Sequence, residues 1–182
     1  MATPPVSVHI TRSITWGGHC IFALALVALL VLAGYVLEIP ELTRLAPGMK
    51  PMNPMGAVSF LLCALSLWLV RDPAQLPRMR LARLPAAAVM LFGLSKVLDL
   101  AAGTSWCPDL LLFADQLLSP EGTPYRLSPN AASCFLLYGI ALLLASREDA
   151  ETSWVTHPQL PLFPILILSL FAVVGYLYQE KS

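Results

Sequence analysis

Lys96 and Asp99 are the residues whose types and spacing most invite chemistry. Both sit inside a long apolar run. An ionisable group there is a functional candidate, because its charge is costly to hold away from water. Three apart on a helix, the ammonium and the carboxylate are close enough to pair. Counted from Pro85, Lys96 stands roughly 16 Å into its run at 1.5 Å per residue. Asp99 lies nearer the far end, toward which the lysine can snorkel. Two readings follow. One is a proton- or ligand-responsive pair facing a bundle interior. The other is a self-neutralised structural pair, or an anchor to a partner helix, and this structural reading is preferred.

The remaining candidates are weaker. His19 and His157 fall at the starts of two apolar runs, at similar depth. They suit ligation of a haem or a chlorophyll-type pigment, or plain hydrogen bonding at an interface. Interfacial bonding is the better reading, because no paired histidines lie within the runs. Ser128-Pro129-Asn130 looks like a helix start. Asn130 there serves the helix end or meets a polar head group, with helix-end structure preferred. Cys20, Cys63 and Cys134 lie in apolar runs and read as buried small hydrophobes. A disulfide between Cys107 and Cys134 fits the spacing but is disfavoured. Asp109, Asp115 and Glu121 read as solvated loop charges. No nucleophile–base set, phosphate loop or zinc spacing is present. The chain is therefore not expected to be an enzyme or to hold a metal. No cofactor is predicted, although a bound lipid or pigment is compatible with the composition.

These residues need elements to hold them, and the composition says which. Hydrophobic residues make up 57% of the 182 residues and charged ones 12%, against about a quarter charged in soluble domains. The charges cluster between long apolar runs, as in an all-α integral membrane protein. Formal net charge is zero, so nothing points to nucleic acid. After a lead over 1–17, five spans are expected near 18–37, 54–70, 85–103, 129–146 and 161–178. Pro54, Pro85 and Pro129 each open a span, since proline is tolerated in a first helical turn. A short helix along the membrane surface is expected over 109–118. The 71–84 loop, with Arg71, Arg78, Arg80 and Arg83 against Asp72, is the most basic loop, so it should be cytoplasmic. Alternation then puts the N-terminus inside and the loops at 38–53 and 104–128 outside.

The spans repeat. With Pro54 placed on Pro129, Phe60-Leu61-Leu62 falls on Phe135-Leu136-Leu137. Gly34-Tyr-Val-Leu-Glu38 likewise lies over Ser95-Lys-Val-Leu-Asp99, and Gly175-Tyr-Leu-Tyr178 looks like a third copy. The architecture reads as two full helical hairpins and an incomplete third. Ala57 and Ala64, and Ala132 and Gly139, are seven apart, which is about two turns and therefore one face. Small residues let helices approach closely in lipid, so these faces are expected to form the seam between the repeats.

Pro129-Asn-Ala-Ala-Ser-Cys-Phe-Leu-Leu-Tyr-Gly-Ile-Ala-Leu resembles a motif of the multi-span N-terminal sensor regions of bacterial sensor histidine kinases and diguanylate cyclases. Trp106-Cys-Pro-Asp-Leu-Leu-Leu-Phe113 is similar to an outer segment of that family. The copy at Asn53-Pro-Met-Gly-Ala-Val-Ser-Phe-Leu-Leu62 is similar but weaker, with Met55 and Gly56 where the family favours Asn-Thr. The resemblance implies a multi-pass protein of the bacterial inner membrane. In that family the module joins a kinase or cyclase; no such domain is recognised in this sequence. Two expectations result. The first is a non-catalytic accessory subunit packed against other integral membrane proteins and lipid in a larger complex, electron-transfer or photosynthetic in type. The second is a sensor-like module signalling to a separate kinase or cyclase.

Overall fold

The structure is a computed structural model that describes residues 6–44, 50–71, 75–104, 108–117, 125–147 and 159–179. Five helices follow in order: α1 (Val6–Val36), α2 (Pro54–Val70), α3 (Leu76–Ala102), α4 (Pro129–Ala145) and α5 (Leu162–Gln179). No strand occurs among the described residues. Each helix lies beside its neighbours in the chain, and α4 also touches α2. The closest pair is α3 with α4.

Two helices, α1 from Gly17 to Val36 and α3, are long and apolar enough to cross a membrane. α2, α4 and α5 are shorter apolar helices. The outward faces carry large apolar side chains, including Phe22 and Leu29 on α1, Leu84, Leu91 and Leu98 on α3, and Leu166, Leu170 and Phe171 on α5.

The helix starts follow capping chemistry. Asn53 Oδ1 accepts the backbone N–H of Met55 at 2.9 Å, and Pro54 fills the first turn of α2, where its missing N–H has no cost. Ser128 Oγ accepts the N–H of Ala131 at 3.2 Å ahead of Pro129. The aligned prolines are thus matched by aligned caps, Asn53 on Ser128.

Three boundaries differ from expectation. α1 begins at Val6, so most of the expected lead is helical. α3 begins at Leu76, and Pro85 lies inside it rather than opening it. Pro77 takes the first-turn place, and Leu, Arg, Met and Ala between them are good helix formers. Pro85 removes one helical N–H. In the same turn, Ser66 Oγ of α2 donates to the Ala82 carbonyl at 3.1 Å. Last, the expected surface helix over 109–118 is two short 3-10 turns, Pro108–Leu110 and Ala114–Leu117.

That outer segment packs inward because its apolar residues have a core to enter. Leu117 is fully buried with Ala28, Val31, Tyr35 and Ala57. Phe113 stacks on Tyr35 with ring centroids 5.3 Å apart. It does so from a left-handed backbone conformation, φ 54°, which bulky residues rarely adopt. The segment 108–117, between α3 and α4, therefore lies over the first hairpin, α1–α2.

The small-residue seam also has a different place. A Cβ on Gly139 would stand 2.5 Å from the Met90 nitrogen, and one on Gly93 would stand 2.3 Å from the Leu136 nitrogen. Buried Ala132 faces Gly93 through its carbonyl. Ala57 packs on the Ala28–Val31–Tyr35 stripe of α1. These contacts lie within each hairpin, not between the hairpins. Ala64 is buried as well. Between the hairpins sit Cys63, Ala86, Val89, Phe135 and Leu142, with Phe60 meeting Phe135 edge-on at 5.2 Å.

Candidate functional site: a buried ion cluster at the loop end

Lys96 falls on the buried stripe of α3 that includes Met79, Ala82, Ala86, Val89 and Gly93, at alternating spacings of three and four. Helical periodicity therefore sends a charged side chain inward, where it is fully buried. Its Nζ donates to Asp99 Oδ2 at 3.1 Å and to Asp109 Oδ1 at 2.8 Å. Asp109 is fully buried and Asp99 is 3% exposed.

The remaining carboxylate oxygens are also occupied. Thr104 donates its hydroxyl to Asp99 Oδ1 at 2.7 Å. Gly103 makes this contact reachable: it ends α3 at φ 62°, a left-handed turn that glycine adopts without strain, and folds Thr104 back. The backbone N–H of Leu127 donates to Asp109 Oδ2 at 2.7 Å. Among the described residues no buried side-chain nitrogen or oxygen lacks a hydrogen-bond partner. Exposed Arg126 acts on Asp99 electrostatically and supplies that acid with a second positive charge.

Asp109 is the joint of this cluster. Its carboxylate holds α3 through Lys96 and the approach to α4 through Leu127. Its backbone carbonyl accepts from Asn53 Nδ2 at 3.1 Å. Asn53 also reaches the Tyr125 carbonyl at 3.4 Å while capping α2. The Tyr125 N–H in turn donates to the Leu117 carbonyl at 2.8 Å. One aspartate and one asparagine thus tie α2, α3, α4 and the loop together.

The internal repeat explains the position of Lys96. Its counterpart, Tyr35, donates to the carbonyl of Met52 at 2.8 Å. Met52 aligns with Leu127. In both hairpins a polar side chain near the end of the first helix is linked to the residue just before the cap of the second. The first link is direct and neutral. The second is ionic and passes through Asp109.

The other candidates disperse. Ser128 caps α4, and Asn130 is exposed in its first turn. His19 is exposed on α1; His157 lies outside the described residues, so the pair has no geometry. Cys20 is exposed rather than buried, because α1 turns that face outward; Cys63 is buried, Cys134 is half-buried, and all three are free. Cys107 and Glu121 lie outside the described residues. Asp115 is exposed, as expected of a solvated charge. Asp109 is the correction: expected in solvent, it is buried because Lys96 and Leu127 offer it donors. Asn53 is signalled in the sequence only through its alignment with Ser128, which marks it as a cap.

Comparison of the chain with protein-family models, curated proteins and solved structures finds no match to any of the three.

Proposed function

We propose that this chain is a non-catalytic multi-pass subunit of a bacterial inner membrane, packed against partner integral membrane proteins as an accessory component of a larger complex. The observation that carries the reading is the apolar exterior. α5 leaves Leu166, Leu170 and Phe171 each at least 63% exposed, and water would not tolerate such a face over a whole helix. The polar interior supports it further. Lys96 bonds both Asp99 and Asp109, and Asp109 also takes a backbone N–H, which makes a buried structural joint. Solubilisation in a mild detergent, followed by mass-spectrometric identification of co-purifying chains, should recover a stoichiometric membrane partner. A monodisperse, partner-free chain from its native membrane would remove the accessory reading.

The second reading is a sensor-like module that passes a signal to a separate kinase or cyclase. Asp109, joined to three helices at once, favours it, because a disturbance of the segment 108–117 would reach α2, α3 and α4 together. A kinase or cyclase among the co-purified chains would select this reading.

A further inference from the structure

We propose that the end of the bundle opposite the ion cluster carries a site for an anionic phospholipid, with its phosphate on Arg78 and its apolar part along Trp68, Leu65 and Leu61. The inference rests on the membrane reading above and names one partner that reading requires.

Arg78 lies over the ring of Trp68, its guanidinium carbon 5.4 Å from the ring centroid. A guanidinium carries five N–H donors, and one held over a ring by its charge keeps donors for a planar anion such as a phosphodiester. The indole is itself 52% exposed, so it is a platform at the surface rather than part of the core. Below it on α2, Leu65 is 45% exposed and Leu61 is half-buried. Positions 61, 65 and 68 lie on one helical face. A basic head on an aromatic ring, with an apolar column beneath it, matches a lipid rather than a soluble anion.

The charge around this column selects the sign of the head group. Arg71, Arg78, Arg80 and Arg83 fall within thirteen residues that contain one acid, Asp72. Arg71 and Arg80 are exposed at the same end. The Arg71 guanidinium lies 2.9 Å from where a Gly18 Cβ would stand, so glycine lets it lie against α1. Arg83 is turned away from the lipid: its Nε and Nη2 donate to the Ser146 carbonyl at 3.2 and 3.0 Å and close the end of α4. A zwitterionic head group gains little net from Arg78, whereas an anionic one is drawn to it, by about fivefold in affinity for one basic side chain near the surface.

The test uses the full chain in a neutral detergent. Lipid adducts are counted by native mass spectrometry during titration with phosphatidylglycerol or phosphatidylcholine. Phosphatidylglycerol should bind with clear preference, and sn-glycerol 3-phosphate should not displace it. Arg78→Gln should reduce the preference about fivefold. Trp68→Leu should weaken binding of both lipids. Arg44→Gln, at the opposite end, should change neither, and Arg78→Lys with unaltered helicity guards against misfolding. An undiminished preference in Arg78→Gln, or displacement by the soluble phosphate, overturns the proposal. Carbonate washing of membranes separates the two claims. A chain that stays in the pellet yet shows no preference leaves the membrane reading standing and removes the lipid site; a released chain removes both.

Discussion

Removing the Lys96 ammonium would leave Asp99 and Asp109 facing each other in a buried site. Breaking one side of a buried ion pair typically costs about 3–5 kcal/mol, because the surviving charge loses its partner. Lys96→Met should therefore lower stability by that order, read as a shift in the denaturant midpoint of helicity in detergent. Replacing all three charges together, as Lys96→Met with Asp99→Asn and Asp109→Asn, should cost much less than the sum of the single changes. Additive costs would mean that the three do not act as a cluster. Tyr35 offers the comparison, since Tyr35→Phe removes one neutral hydrogen bond and should cost only about 1 kcal/mol. A larger loss there than in Lys96→Met would invert the proposed ranking of the two repeat positions.

At the scale of elements, α3 and α4 meet backbone to backbone. Gly93 and Gly139 each face the main chain of the opposite helix, and a main chain cannot rotate aside as a side chain can. Gly139→Leu should force the pair apart, at a cost above the roughly 1–3 kcal/mol usual for overpacking. Gly175 of α5 has open space around it, so Gly175→Leu should leave the unfolding midpoint unchanged. Equal effects in the two variants would show that the intrinsic change from glycine, not the α3–α4 approach, sets the outcome. The helices and their small-residue faces were legible in the sequence, because apolar runs and seven-residue spacing are local signals. Their pairing was not legible: Ala132 and Gly139 repeat equally well whether they face a helix within the hairpin or outside it. Pro85 misled for a related reason. A proline marks either a helix start or an interior break, and only the arginine-bearing turn before it, helical from Leu76, decides between them. Lys96 and Asp99 were found as a pair through their spacing. Asp109 was not, since a contact across thirteen residues of chain leaves no periodic trace.

For the whole molecule, the ion cluster and the arginines of the α2–α3 junction lie at opposite ends, and on the proposed membrane reading this asymmetry predicts an orientation. Arg71, Arg78, Arg80 and Arg83 lie around the junction of α2 and α3; basic residues in a short connection are retained on the cytoplasmic side. On that reading the end bearing Asn53, Asp109 and Leu127 is expected to face outward. Leu111, 73% exposed beside the buried Asp109, is a site where a label can be read without disturbing the cluster. A Leu111→Cys variant in a chain whose four native cysteines are replaced by serine or alanine should react with a membrane-impermeant maleimide added to spheroplasts. An Arg80→Cys variant in the same background should react only after the membrane is opened. The opposite pattern would reverse the orientation and place the proposed lipid site in the outer leaflet. Reaction of both without opening would mean that the two ends are not separated by a bilayer, and would remove the membrane reading on which the partner and lipid proposals stand. A reporter fused at Ser182 adds a check on the number of crossings. With five spans and a cytoplasmic N-terminus it should register outside; a cytoplasmic signal combined with the expected maleimide pattern would mean that α5 packs against α4 without crossing.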